Sequence, residues 1–266
     1  LMTDPFGNYL MQKLVEHCNN DQRTAIVQTV APHLVSISLN MHGTRAVQTL
    51  IENLTTPPQV QAVIQALEHC VVQLIKDLNG NHVIQRCLQK LSAPDKQFVY
   101  NATVPRCVDV ATHRHGCCVV QRCIDHASEE QRLSLVDEVA RHAFKLVTDP
   151  FGNYVVQYVL DLGIDTMIRK VCYAFCNCFP NLCQNKFSSN VMEKCLSIAP
   201  DDLRETFITE LCDNPRLPNL LQDQYANYVV QTALTVAKQQ QFMRLQEAIR
   251  PHLHLVKNTP YGKKIE

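Results

Sequence analysis

A seven-fold self-match constrains this chain more than any other feature. The pentapeptides NYLMQ (8–12), TRAVQ (44–48), NHVIQ (81–85), CCVVQ (117–121), NYVVQ (153–157), SNVME (189–193) and NYVVQ (227–231) align without gaps. Their last residues are separated by 36, 37, 36, 36, 36 and 38 positions. A period of that size is the length of one helical unit of a solenoid. Such a unit cannot bury its apolar face alone, so neighbours must stack into a continuous core. Six of the seven glycines stand immediately before the motif: Gly7, Gly43, Gly80, Gly116, Gly152 and, in a truncated eighth copy, Gly262. Ser188 and Ala226 hold that place in two repeats. A tiny residue there is expected to let the chain turn sharply into a helix.

Each motif reads as the start of a helix. At about 100° per residue, with Asn153 at 0°, Gln157 falls near ~40° and Tyr154 near ~100°. Val155, Val156, Val159 and Leu160 occupy the opposite arc. Motif positions one, two and five are therefore expected to share an exposed face, with the β-branched run packed inward. A second helix follows in each unit. SAPDKQFV (92–99) places Pro94 near a first turn, and SEEQRLSLV (128–136) carries a capping box of Ser128 and Gln131. A shorter apolar segment precedes each motif, as in FKLVTD (144–149). No strand and no internal linker are read, and CDNPRLPN (212–219) is a slightly longer loop.

Core burial does not require amides at the same two places of a repeat. Asn8/Gln12, Asn81/Gln85, Asn153/Gln157 and Asn227/Gln231 supply them four times. Each amide offers a donor and an acceptor. Uracil presents acceptor, donor and acceptor along its Watson–Crick edge, which two amides one turn apart can satisfy. Ser189/Glu193 breaks the pattern. A carboxylate only accepts, and guanine is the base whose edge offers two adjacent donors. Thr44/Gln48 and Cys117/Gln121 combine a small first residue with glutamine. That leaves room for a purine, and one amide can pair with adenine. Position two carries Tyr9, Arg45, His82, Tyr154 and Tyr228, flat groups able to stack on bases, beside Asn190 and Cys118, which stack less well. Lys13, Arg86, Arg122 and Lys194 follow position five and are candidate phosphate contacts.

These triplets resemble the Pumilio/FBF (PUF) family of single-stranded RNA-binding repeat proteins, across the whole chain. The resemblance implies an all-α, right-handed, crescent-shaped α-solenoid: one domain over 1–266 with about seven three-helix repeats and a C-terminal capping half-repeat. The repeats fall near 1–30, 31–67, 68–103, 104–139, 140–175, 176–214 and 215–250, with the cap at 251–266 and NTPYGKKIE as its end. Family members usually have eight repeats, so one more is expected upstream of Leu1. The family's code implies uracil for Asn/Gln, guanine for Ser/Glu, and adenine for Cys or Thr with Gln. Its antiparallel RNA then gives 5′-UGUAUAU-3′, read from repeat 227–231 back to 8–12, and this contains the family's UGUA core. Cys118 departs from the family's arginine-like stacker and Thr44 from its cysteine or serine. HRHGCCVVQRC (113–123) resembles fungal members that accept longer sites with one base turned away.

The implied function is binding of mRNA 3′ untranslated regions for translational repression or decay, by a cytoplasmic monomer that recruits deadenylase or repressor proteins. The alternative is a protein-interaction scaffold of HEAT or armadillo type. Lys plus Arg is 25 and Asp plus Glu is 25, which argues against binding driven by phosphate charge alone. The 13 cysteines suit a reducing compartment and free thiols. Cys172, Cys176, Cys178 and Cys183 are spaced poorly for zinc and read as small buried hydrophobes. His113, His115, Cys117 and Cys118 lack an orienting third group for nucleophilic chemistry. No catalytic motif, cofactor, metal site, signal peptide or membrane-spanning segment is expected.

Overall fold

The computed structural model describes residues 1–257, so most of the expected cap, including Gly262, lies outside the described residues. Every regular element among the described residues is a helix. None is long and apolar enough to cross a membrane. The chain divides into two compact units, Leu1–Glu138 and Val139 onward.

In the first unit the motif helices Gly7–His17, Gly43–Glu52, Gly80–Lys90 and Gly116–His126 pack one on the next in chain order. The short helices Leu34–Leu39, Val71–Lys76 and Cys107–Ala111 each lead into a motif helix and pack against it. In the second unit Gly152–Asp161, Ser188–Ile198 and Ala226–Val236 form the same succession. There the leading helices are Ala143–Val147, Phe179–Cys183 and Leu217–Gln222. Second helices stack alongside: Asn20–Val30 on Pro57–Leu67, and Asp165–Tyr173, Asp201–Cys212 and Gln239–Ile249 in sequence.

The inward arc of the motif helix is buried as its spacing predicts. Val155, Val156, Val159 and Leu160 are at most 1% exposed, each contributing about 1.5–3 kcal/mol of transfer free energy. Phe179 and Phe207 stack at 4.3 Å between ring centres within the second unit's core.

The glycine before the motif has a different reason from the one expected. Among the described residues none at that place has a positive φ, so no special turn conformation is needed there. What it provides is close approach. A Cβ on Gly152 would stand 2.7 Å from the Leu146 carbonyl oxygen, and one on Gly80 2.9 Å from that of Leu74. Gly43 and Gly116 meet Ile37 and Val110 more tightly still. Ser188 turns the same approach into a bond: its hydroxyl donates to the Leu182 carbonyl at 2.5 Å.

Two further expectations are corrected. The helix expected to have Pro94 near its first turn begins only at Gln97. Residues 92–96 instead close a turn, where the Ser92 hydroxyl donates to the Asp95 carboxylate at 2.6 Å and Lys96 N–H to Ser92 O at 3.0 Å. The loop at 212–219 is shorter than expected, because Asp201–Cys212 and Leu217–Gln222 are both helical. The Ser128 capping box is formed: Ser128 N–H donates to Gln131 Oε1 at 2.9 Å, and Gln131 N–H to Ser128 Oγ at 3.3 Å.

Candidate nucleic-acid interface

One local device launches the motif helices. A side-chain oxygen three residues before the glycine place accepts the backbone N–H groups two and three residues on. Asp149 accepts from Phe151 and Gly152, both at 2.8 Å. Asp77 accepts from Asn79 and Gly80 at the same distance. Asp4, Asn40, Asn185 and Asp223 repeat the pattern between 2.6 and 3.1 Å. These N–H groups would otherwise be orphaned at the helix start. The bonds from Gly7 and then Phe6 hold the Asp4 carboxyl below the usual carboxylate range. His113 takes the place in the fourth repeat and accepts one N–H, from His115 at 3.3 Å. The sequence reading passed over this position, although Asp or Asn recurs there in six of seven repeats.

Position one is not on an exposed face, and that expectation is corrected. Asn8, Asn81, Asn153 and Asn227 are at most 5% exposed, and Thr44, Cys117 and Ser189 are buried beside them. The physical reason is the carbonyl one turn back, which accepts the asparagine's own backbone N–H at 3.1–3.3 Å and has a second lone pair for its side chain. Asn Nδ2 donates to it in all four amide repeats: to Asp4 O, Asp77 O, Asp149 O and Asp223 O, at 2.7–2.9 Å. In Asn8 and Asn81 a second bond goes to Pro5 O and Leu78 O. Thr44 Oγ1 donates to Asn79 O at 3.0 Å, and the Cys117 thiol to Arg114 O at 3.6 Å.

Position five is half-buried and is aimed by position one. Nε2 of Gln12, Gln85, Gln157 and Gln231 donates to the asparagine Oδ1 of its own repeat at 2.9–3.0 Å. This leaves the glutamine its second N–H and its Oε1 side by side, a donor and an acceptor (Thr49 makes a 3.4 Å contact to Gln12 Oε1). Gln48 turns to Thr44 instead, donating to its carbonyl at 3.1 Å. Gln121 is half-buried above Cys117. Glu193 puts a carboxylate where the other repeats put an amide.

Position two is exposed in every repeat: Tyr9, Arg45, His82, Cys118, Tyr154, Asn190 and Tyr228. The three tyrosines are 67, 56 and 45% accessible in chain order. His82 is held neutral to lower pH than a free imidazole, first by partial burial and then by Arg45 and His115.

All four candidate phosphate contacts are already engaged. Lys13 pairs with Glu16 at 2.6 Å, Arg86 with Glu52 at 2.9 Å, Arg122 with Asp125 at 2.6 Å and Lys194 with Asp161 at 2.6 Å. To meet a phosphate each must share or exchange a carboxylate.

Of the four cysteines at 172–183, Cys172 and Cys183 are buried as expected, whereas Cys176 and Cys178 are only half-buried because they lie at the turn between helices. Burial pushes Cys87 and Cys107 up to about 12 and also raises Cys123 and Cys183. In the 172–183 group the thiol of Cys183 donates to Phe179 O at 3.1 Å and that of Cys178 to Phe175 O at 3.2 Å. No group of three or more His, Cys, Asp or Glu among the described residues is placed to hold a metal ion.

Known proteins share this repeat along the chain. The family model described as the Pumilio-family RNA binding repeat matches seven times, over residues 1–31, 33–68, 70–102, 106–140, 142–172, 178–212 and 218–250. A Pumilio domain-containing protein of Schizosaccharomyces pombe is 51% identical over 265 residues, covering 100% of this chain and 39% of the relative. Pumilio homolog 12 of Arabidopsis thaliana is 44% identical, with 100% of this chain and 45% of the relative covered. The Puf4 RNA binding domain bound to the HO endonuclease RNA 3′ UTR recognition sequence is 44% identical with a TM-score of 0.88, covering 99% of this chain and 84% of that one. The RNA-binding domain of yeast Puf5p bound to SMX2 RNA follows at 31% and 0.85, covering 99% and 82%.

The chain therefore belongs to the Pumilio family of RNA-binding repeat proteins, and its fold is the all-helical PUF solenoid with seven repeats. It spans about 39–52% of the length of the first curated relatives it matches.

Proposed function

We propose that this chain binds single-stranded RNA sequence-specifically and reads 5′-UGUAUAU-3′, one base per repeat, with its first repeat at the RNA 3′ end. The observation that carries the reading is the contrast between repeats built on one plan. Where position one is Asn, the Gln amide is aimed by it at 2.9–3.0 Å and offers N–H and C=O together. That pair complements N3–H and a neighbouring carbonyl of uracil, while the asparagine fills the space a purine needs. Where position one is Thr or Cys, that space opens and the same amide suits adenine. Where Ser189 and Glu193 stand, the Glu193 carboxylate offers only acceptors, which suits the two donors of guanine. The exposed side chains of Tyr9, Arg45, His82, Tyr154 and Tyr228 at position two supply stacking in five repeats, with Cys118 and Asn190 weaker in the other two.

The 3′ UTR recognition sequence bound by Puf4 supports messenger 3′ untranslated regions as the targets. In this reading the chain is a cytoplasmic, monomeric, non-catalytic adaptor. It leads deadenylase or repressor proteins to the message, and the outcome is repression or decay. The base-by-base part is tested by Ser189→Asn together with Glu193→Gln. In binding titrations the double variant is expected to move the preference at the second base from G to U. A preference for G that survives both changes overturns the reading.

A further inference from the structure

The sixth motif position is a cation in four repeats (Lys13, Arg86, Arg122, Lys194), a threonine in two (Thr49, Thr232) and Tyr158 in the fifth. Arg86 and Lys194 are long cations, and they reach across to the ninth position of the preceding repeat, Glu52 and Asp161. Thr232 is too short for that reach. Its hydroxyl donates instead to Oε2 of Glu193, the fifth position of the preceding repeat, at 3.1 Å. The two residues are 39 apart in sequence, so this bond joins repeats rather than turns of one helix. Thr49 makes the corresponding approach to Gln12 at 3.4 Å, but its hydroxyl also lies 3.2 Å from Arg45 O and has one proton to give.

We propose that Thr232 is a positioning residue for RNA specificity: it fixes the carboxylate of Glu193 in the orientation that selects guanine. The inference rests on the reading of Ser189 and Glu193 given above. The last torsion of a glutamate is soft, and two guanine donors match a carboxylate only when its plane is set. A donor carried by the neighbouring helix sets that plane and leaves acceptor capacity on both oxygens. Its neutrality matters equally. The ninth position of the Glu193 repeat is Ser197, so no acid stands there to draw a basic side chain away. A lysine or arginine at 232 would face Glu193 itself and compete with the base for its oxygens.

The test uses the intact chain and labelled 5′-UGUAUAU, 5′-UAUAUAU and 5′-UGUACAU RNAs at one salt concentration. Thr232→Val keeps the side-chain shape and removes the hydroxyl, and Thr232→Ser keeps the donor. The expected result is that Thr232→Val lowers the preference for G over A at the second base about ten-fold, the worth of one hydrogen bond. Discrimination at the fifth base, read by Asn81 and Gln85, stays unchanged, and Thr232→Ser retains the wild-type ratio. A wild-type preference for G that Thr232→Val leaves intact overturns this inference alone. An equal loss on all three RNAs also overturns it, since that is the mark of a packing role. A wild-type chain indifferent to the second base removes the reading of Glu193 first and this inference with it. Thermal melts of each variant separate a folding defect from either outcome.

Discussion

Tyr154 and Asn153 are neighbours in the sequence with opposite fates. The tyrosine ring is 56% exposed, whereas the asparagine is 3% exposed and bonded to Asp149 O at 2.8 Å. Their substitutions should separate accordingly. Tyr154→Ala is expected to weaken RNA binding by about 1–3 kcal/mol, the worth of one base–aromatic stack, while leaving the melting temperature nearly unchanged. Affinity equal to wild type would remove that ring from the interface. Gly80→Ala makes the reverse case. Its new Cβ would press on the Leu74 carbonyl, and a strain of about 1–3 kcal/mol should appear in denaturant unfolding. An unperturbed midpoint would show that the close approach is relieved at no cost.

The motif helix is secured before its first residue. Asp149 satisfies two orphan N–H groups, so Asp149→Ala should cost about 0.5–2 kcal/mol, with the loss of local protection seen by hydrogen exchange in residues 151–154. No change in exchange there would contradict the capping role. The sign with pH follows from Asp4, whose folded carboxyl is held down by the Gly7 and Phe6 N–H groups. Its contribution is complete above the ordinary aspartate range and is lost as pH falls through the depressed folded value. Asp4→Asn should therefore flatten the acid limb of the first helix's stability and leave neutral pH almost untouched. The existence of the motif helix was legible from period and patterning, and the start of the second helix Glu129–Arg141 from the capping box at Ser128. The anchoring of the motif helix was not. The wheel put Asn153 outward because spacing cannot show that the Asp149 carbonyl one turn back takes the side-chain amide as well as the backbone N–H. It gave the glycines a turn because spacing cannot show which oxygen passes beside them. The recurring Asp or Asn before the glycine was visible, and its meaning depended on where its oxygen points.

At the scale of the whole chain, affinity has to come from repeated small terms, because the formal net charge is zero. Lys13, Arg86, Arg122 and Lys194 each hold a carboxylate. Single-stranded binding loses about 0.7 in log–log salt slope per phosphate contact, so four free cations would give a slope of about −2.8. A shallower slope is expected here, and a steeper one would show that the ion pairs open to phosphate. The repeat count and the seven triplets could be read without coordinates because each unit repeats the same solution. The threonine at 232 and the four ion pairs could not, since they join positions in different turns or repeats. The measurement that tests the central claim most directly is the affinity for 5′-UGUAUAU beside that for 5′-ACAAUAU, at the same salt. Tight binding of the first and a strong loss on the second are predicted. Equal affinity for both would contradict the claim that these triplets read bases.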